Sequence, residues 1–292
     1  MSGAAQSAGG GFRPDPRLFP FESRWFESRA GRIHYIDEGD GPPILFLHGN
    51  PTWSFLYRGI VLRLRDRFRC LALDYPGFGL SAHPRSYGYT AAEHAEVVTE
   101  FVRALGLQGL TLMGQDWGGP IGLRTALDQP SRFERLVMGN TWYWPLDRLT
   151  MRLFARAMST AFMQRQIYNR NFFVEQIMPR AVKHRLAPEV LDHYRGPFPT
   201  IDSRTGVAEF PRELTRAERW LRELAAEVPH GLGHLPLLLT WGVHDPAFPP
   251  SMMDRFRADF AHVEVVRLDA KHYIQEDAPA EIADAIRGFV GG

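Results

Sequence analysis

Short apolar runs alternate along the chain with stretches whose apolar residues recur every three or four positions. Residues 25–28 and 32–37, separated by a glycine-containing turn, predict an antiparallel hairpin. Strands follow over residues 44–47 and 68–73, with helical spacing over 55–64 between them. A second helix over 91–105 meets Gly106, a residue suited to end it. Residues 110–113, 121–127 and 135–138 continue as strand, helix and strand. Unbroken apolar strands alternating with helices predict an α/β fold, a mostly parallel central sheet with helices on both faces.

The rhythm breaks between residues 141 and 210. This stretch lacks a clear strand, is punctuated by proline and carries Trp142, Tyr143, Trp144, Phe154, Phe162, Phe172 and Phe173. Its aromatic density predicts a helical cap facing an apolar cavity rather than a plain peripheral layer. The α/β pattern then resumes with a helix near 217–227, strands at 237–240 and 263–268, and helices near 252–260 and 279–290. The expected division is a disordered tail over 1–14, a core from 15–140 and 211–292, and the cap over 141–210.

Composition narrows the function classes. A chain of 292 residues with 45% hydrophobic residues buries a large core. Its formal net charge of +1 offers no basis for binding nucleic acid or an acidic membrane. Arg63, Arg65, Arg67 and Arg69 alternate with apolar residues, as on a solvated face. The one cysteine, Cys70, lies in a strand-like run and reads as a core thiol; no intrachain disulfide can form. Residues 1–11 have no apolar core of a signal peptide, and no run reaches membrane-spanning length, so a cytoplasmic location is expected.

The candidate chemistry centres on Gly114-Gln115-Asp116-Trp117-Gly118-Gly119-Pro120. An apolar strand runs into it and a helical pattern leaves it, which is the setting of a nucleophile elbow with Asp116 where serine usually stands. The glycines permit a sharp turn and close strand–helix approach, leaving Asp116 exposed at a helix start that favours its anion. Carboxylate attack on an acyl carbon would give an unfavourable mixed anhydride. Attack on a saturated carbon bearing a leaving group gives an ordinary ester, which water cleaves at the enzyme's own carbonyl. An alkyl halide or an epoxide is the fitting electrophile. The plainer alternative is a turn Asp capping the next helix.

Such a nucleophile needs a base, an orienting acid and oxyanion donors, all at carboxyl ends of strands. His272 follows the 263–268 strand and Asp245 follows the 237–240 strand, giving the chain order nucleophile, acid, histidine of α/β-hydrolases. After the 135–138 strand stands Asn140, which cannot carry the acid's charge, so Asp147 is the weak fallback. The turn His48-Gly49-Asn50-Pro51-Thr52-Trp53 supplies the third part. Backbone N–H groups of Asn50 and Trp117 are expected to form the oxyanion hole. The Asn50 amide and Trp117 indole are expected to bind the departing halide, stabilising its developing charge by about 3–6 kcal/mol together.

These motifs, together with Asp74-Tyr75-Pro76-Gly77-Phe78-Gly79-Leu80-Ser81 and Lys271-His272-Tyr273-Ile274-Gln275-Glu276-Asp277, resemble those of the haloalkane dehalogenases from about residue 15 to the C-terminus. The resemblance implies an α/β-hydrolase with a helical cap, converting haloalkanes to alcohol and halide without metal or organic cofactor. It implies Asp116 as nucleophile, His272 as base, Asp245 as acid, and Asn50 with Trp117 as halide ligands. That pairing is similar to the third dehalogenase subfamily, whose members tend to form homo-oligomers and turn over slowly. The expected partners are a small apolar halogenated substrate, water and halide. An epoxide hydrolase shares the Asp nucleophile but needs an acid for the alkoxide, for which the cap offers Tyr143, Tyr168 and Tyr194. A fluoroacetate dehalogenase would carry an arginine directly after Asp116, which is absent. A non-catalytic small-molecule binding protein on the same fold is the reading from a different class.

Overall fold

A computed structural model describes residues 11–291. The chain opens with β1 (Arg24–Ser28) and β2 (Gly31–Glu38), which pair antiparallel as the expected hairpin. There follow β3 (Pro43–Leu47), α1 (Arg58–Leu64), β4 (Arg69–Leu73), α2 (Ala91–Ala104), β5 (Leu110–Asp116), α3 (Gly118–Asp128) and β6 (Phe133–Thr141). A helical stretch comes next: α4 (Leu149–Ser159), α5 (Ala161–Arg170), α6 (Pro188–Arg195), α7 (Thr205–Arg216) and α8 (Glu218–Gly231). The chain closes with β7 (Leu237–Gly242), α9 (Met253–Asp259), β8 (Val263–Leu268), α10 (Ile274–Asp277) and α11 (Pro279–Gly291).

The eight strands form one sheet in the order β1-β2-β4-β3-β5-β6-β7-β8, parallel from β4 to β8. Ile44–Leu47 and Leu110–Met113 are fully apolar or nearly so because helices cover both faces, and they are buried accordingly. The connection β3–α1–β4 runs one way along the sheet and β5–α3–β6 the other. Right-handed crossovers therefore set their helices on opposite faces. In keeping with this, α1 packs on α11, while α2 packs on α3 and α3 on α8. The reversal lies beside β3 and β5, so a crevice opens at their carboxyl ends.

Local chemistry explains the element ends. The Thr90 side chain accepts the Glu93 N–H while Glu93 returns a bond to the Thr90 N–H, a capping box that starts α2. Ala95, Val98, Phe101 and Val102 form its buried stripe, and Gly106 ends it in the left-handed region at φ +62°. Of the tail expected over residues 1–14, residues 1–10 lie outside those described. Phe12 packs edge-on against Trp53 and His193. The expected cap limit at residue 210 falls inside α7. Among the described residues no helix is long and apolar enough to cross a membrane.

Asp74 binds the loops beneath the crevice. It is wholly buried and accepts bonds from His34 Nδ1 (2.8 Å), Ser54 N (2.7 Å) and Leu80 N (2.9 Å). One carboxylate thus fastens β2, the turn after β3 and the turn after β4, satisfying donors that would otherwise be orphaned. Asp74→Ala should lower unfolding stability by about 3 kcal/mol or more, read as an earlier urea midpoint at unchanged slope. A loss below about 1 kcal/mol would show that these loops hold without it.

Candidate active site

Asp116 ends β5 at φ +52°, a left-handed conformation that costs energy in any residue with a side chain. The turn persists because β5 and α3 are clamped together. A Cβ on Gly118 would lie 2.0 Å from the Leu47 carbonyl oxygen, so only glycine fits where the helix leaves. Gly49 plays the same part opposite, since a Cβ there would meet Asp116 Oδ1 at 2.3 Å. The expected elbow is therefore present, with the carboxylate aimed into a cavity of about 390 Å³.

Asp116 Oδ1 accepts the backbone N–H of Asn50 at 2.9 Å, and the Trp117 N–H also bonds the carboxylate. These are the two backbone donors expected from the sequence. Burial pushes the Asp116 carboxyl up, and His272 with the two N–H groups pulls it down by less, so its pKa lies above the ordinary aspartate value. The expectation that the helix start would favour the anion is thus outweighed by desolvation.

Across the cavity, His272 Nε2 lies 3.9 Å from Asp116 Oδ2, and His272 Nδ1 donates to Asp245 Oδ2 at 2.8 Å. Burial alone would lower the imidazole pKa. The Asp245 and Asp116 carboxylates outweigh it and hold His272 above the usual histidine value. Burial likewise works to raise Asp245, but His272, the Ala247 N–H and Asn140 overcome it and keep this carboxyl below its ordinary value. Phe248 stacks on the imidazole at 5.4 Å. Asp116, His272 and Asp245, from the ends of β5, β8 and β7, are thus brought together. Asp147, the fallback acid, is not among the cavity-lining residues or the partners of His272.

Asn140 has a part that the sequence reading missed. It had been set aside for lacking charge, yet its amide donates to Asp245 Oδ2 at 2.9 Å and accepts the Gly242 N–H at 2.7 Å. The sheet register explains how it reaches. Gln115 pairs with Gly139 and Asp116 with Thr141, so Asn140 is an extra residue, a bulge at φ +39° turned toward β7. Gln115 was also passed over. Its Nε2 lies 3.2 Å from His272 Nε2 and donates to the His272 carbonyl at 3.1 Å, fixing the loop that carries the imidazole.

Asn50 and Trp117 both line the cavity. One hydrogen of the Asn50 amide goes to the Val207 carbonyl at 3.3 Å, leaving the other N–H free. Among the described residues no acceptor takes the Trp117 indole N–H, whose ring stacks on Phe210 at 5.3 Å. Phe154 and Phe173, from the helical stretch after β6, supply apolar wall. Phe162 does not: it is 68% exposed, because its face of α5 turns outward. Tyr143, Tyr168 and Tyr194 do not line the cavity. Tyr143 donates to Asp259 and Tyr194 to Glu276.

Comparison with known proteins agrees with this geometry. The family model described as alpha/beta hydrolase fold matches residues 42–279. Haloalkane dehalogenase 2 of Mycobacterium tuberculosis is 54% identical over 277 residues, covering 94% of this chain and 97% of the relative. A cis-3-alkyl-4-alkyloxetan-2-one decarboxylase of Xanthomonas campestris is 31% identical over 291 residues, covering 93% and 97%. Among solved structures, haloalkane dehalogenase DbeA from Bradyrhizobium elkani superposes with a TM-score of 0.86 at 27% identity, covering 93% of this chain and 98% of that one. An elbow bearing aspartate, a histidine facing it and an extensive match to such relatives lead to one assignment: this chain belongs to the α/β-hydrolase fold family and, within it, to the haloalkane dehalogenases.

Proposed function

We propose that the protein hydrolyses carbon–halogen bonds of haloalkanes through an alkyl ester on Asp116. The observation that carries this reading is a carboxylate facing a largely apolar cavity beside two N–H donors not taken up by the protein, one on Asn50 and the indole of Trp117. Asp116 Oδ2 displaces halide in line, the C–O bond forming as the C–halogen bond breaks with its electron pair. Asn50 Nδ2 and Trp117 Nε1 receive the anion as its charge develops in the transition state. His272 Nε2 then takes a proton from water as its oxygen attacks Asp116 Cγ, and collapse releases the alcohol. The backbone N–H groups of Asn50 and Trp117 hold the oxyanion. Asp245, held by Asn140, keeps the imidazole oriented and stabilises its charged form.

Epoxide opening is less well supported, since none of the three cap tyrosines lines the cavity. Tyr273 does line it, but its hydroxyl donates to the Asn50 carbonyl at 3.1 Å. The decarboxylase relative names a strained oxygen ring as its substrate. That relative is 31% identical against 54% for the haloalkane dehalogenase, and the stronger likeness favours the halide. The homo-oligomer implied by the resemblance is supported by Leu149, Leu153 and Phe162, large apolar residues left exposed on α4 and α5. Light scattering at micromolar concentration should then give a mass above that of one chain, and a strict monomer would end that part of the proposal.

His272→Phe should leave alkylation working and trap the ester. Mass spectrometry after exposure to a bromoalkane should find Asp116 heavier by one alkyl group, with a burst of about one bromide per active site. Steady turnover at the wild-type rate would refute the assignment. Asn140→Ala removes one of the bonds that hold Asp245, and ester hydrolysis should slow by about ten-fold while alkylation changes little. Equal slowing of both steps in single-turnover measurements would give Asn140 only a structural part.

A further inference from the structure

The cavity that holds Asp116 is lined largely by apolar residues, and Arg180 is its one basic lining residue besides His272. The guanidinium Nη1 donates to the Gln176 carbonyl at 2.5 Å and to Gln176 Oε1 at 3.1 Å, both neutral acceptors. Among the described residues no carboxylate pairs with it, although most arginines here that bond a side chain do have such a partner. Its place is fixed from the catalytic side. The carbonyl of the next residue, Ala181, accepts the backbone N–H of His272 at 3.0 Å and that of Tyr273 at 3.3 Å. Lys271 Nζ donates to the Arg180 carbonyl at 3.1 Å and likewise has no carboxylate partner among the described residues. Nearby acids are otherwise occupied: Asp269 pairs with Lys183 and His244, and Asp277 accepts the backbone N–H groups of Lys183 and Lys271. An exposed cation with free donors thus lines the same cavity as the nucleophile.

We infer that Arg180 is a specificity-determining residue that takes the carboxylate of ω-halogenated carboxylic acids, the carbon–halogen bond lying at Asp116. This rests on the dehalogenase reading and names a substrate class within it. Electrostatics sets the arrangement. A substrate carboxylate beside Asp116 would meet a like charge in a poorly screened site, so α-halo acids are disfavoured. A carboxylate at Arg180 keeps partial hydration, gains a charge-assisted and geometrically matched fork from the guanidinium, and leaves the methylene chain along the apolar wall. Arg180 is exposed, so its contribution is moderate and screened by salt. The same arrangement requires a minimum chain length, because a short acid cannot reach both ends.

The test measures bromide release from ω-bromoalkanoates of increasing length and from 1-bromoalkanes of the same carbon number, in wild type, Arg180→Gln and Arg180→Lys. The quantity read is the ratio of kcat/KM for acid over alkane. In wild type the ratio should peak at one intermediate length and fall as ionic strength rises. In Arg180→Gln it should drop by about ten-fold at that length, mostly through KM, and Arg180→Lys should keep part of the preference. A ratio that has no length optimum, or that Arg180→Gln leaves unmoved while bromoalkanes are turned over, overturns the inference alone. Bromide from neither class in wild type overturns the dehalogenase reading and this inference with it. Should Arg180→Gln not fold, the salt dependence of the wild-type ratio together with Arg180→Lys decides.

Discussion

A carboxylate with no strong cationic partner, facing an apolar hollow, is the constraint on which this architecture turns. Asp116 is opposed only by an imidazole 3.9 Å away and by two backbone N–H groups. Water would solvate such a group and blunt its reactivity; full enclosure would protonate it. The fold holds the intermediate condition, in which the side chain is 14% exposed. It does so with backbone rather than with charge: a strained φ at the end of β5, a glycine where α3 departs, and another glycine where the loop after β3 crosses. Those features require β3, β5 and α3 to pack without side chains between them, and that in turn requires the sheet reversal to fall at this point.

Much of this was legible before any coordinates. The strand–turn–helix around Asp116, the order of Asp245 and His272, and the turn at Asn50 each follow from short-range pattern, because glycine spacing and strand ends are local properties. What escaped the sequence depends on long-range register. Asn140 looked like an absent acid until the bulge in β6 revealed that its amide turns to β7 and donates to Asp245 there. Nothing in the neighbouring residues signals a bulge of one position. Phe162 failed for a related reason: aromatic density marks a helix that buries something, but which face of α5 turns inward is decided by α4 and α7. Arg180 was one basic residue among 34 until the docking of Ala181 on the His272 loop set it in the cavity wall.

The acid position also bears on why the asparagine is there. A carboxylate at the end of β6 as well as at Asp245 would put two negative groups beside one imidazole, raising one of their pKa values and overcharging a buried site. An amide at residue 140 avoids this. It donates to Asp245 Oδ2, leaves that oxygen able to accept from His272, and uses its own oxygen to satisfy the Gly242 N–H. One neutral side chain thereby ties β6 to β7 and fixes Asp245 without competing for the His272 Nδ1 proton.

These charges are coupled in a way that suits the two halves of the proposed cycle. In the resting protein both Asp245 and Asp116 hold the His272 pKa up, against the effect of burial. That makes the imidazole easier to protonate than burial alone would allow. Esterification removes the charge of Asp116 and leaves Asp245 as the single carboxylate facing the ring. Burial, which lowers the histidine pKa, then weighs more heavily, and the His272 pKa moves down toward the neutral form that accepts a proton from water. In the proposed cycle, the step that consumes the charge of Asp116 therefore also lowers the His272 pKa toward the form that takes up a proton. A histidine supported by Asp245 alone, with Asp116 too far away to influence it, would lack this ordering, which is why the short gap between the two side chains matters as much as either residue.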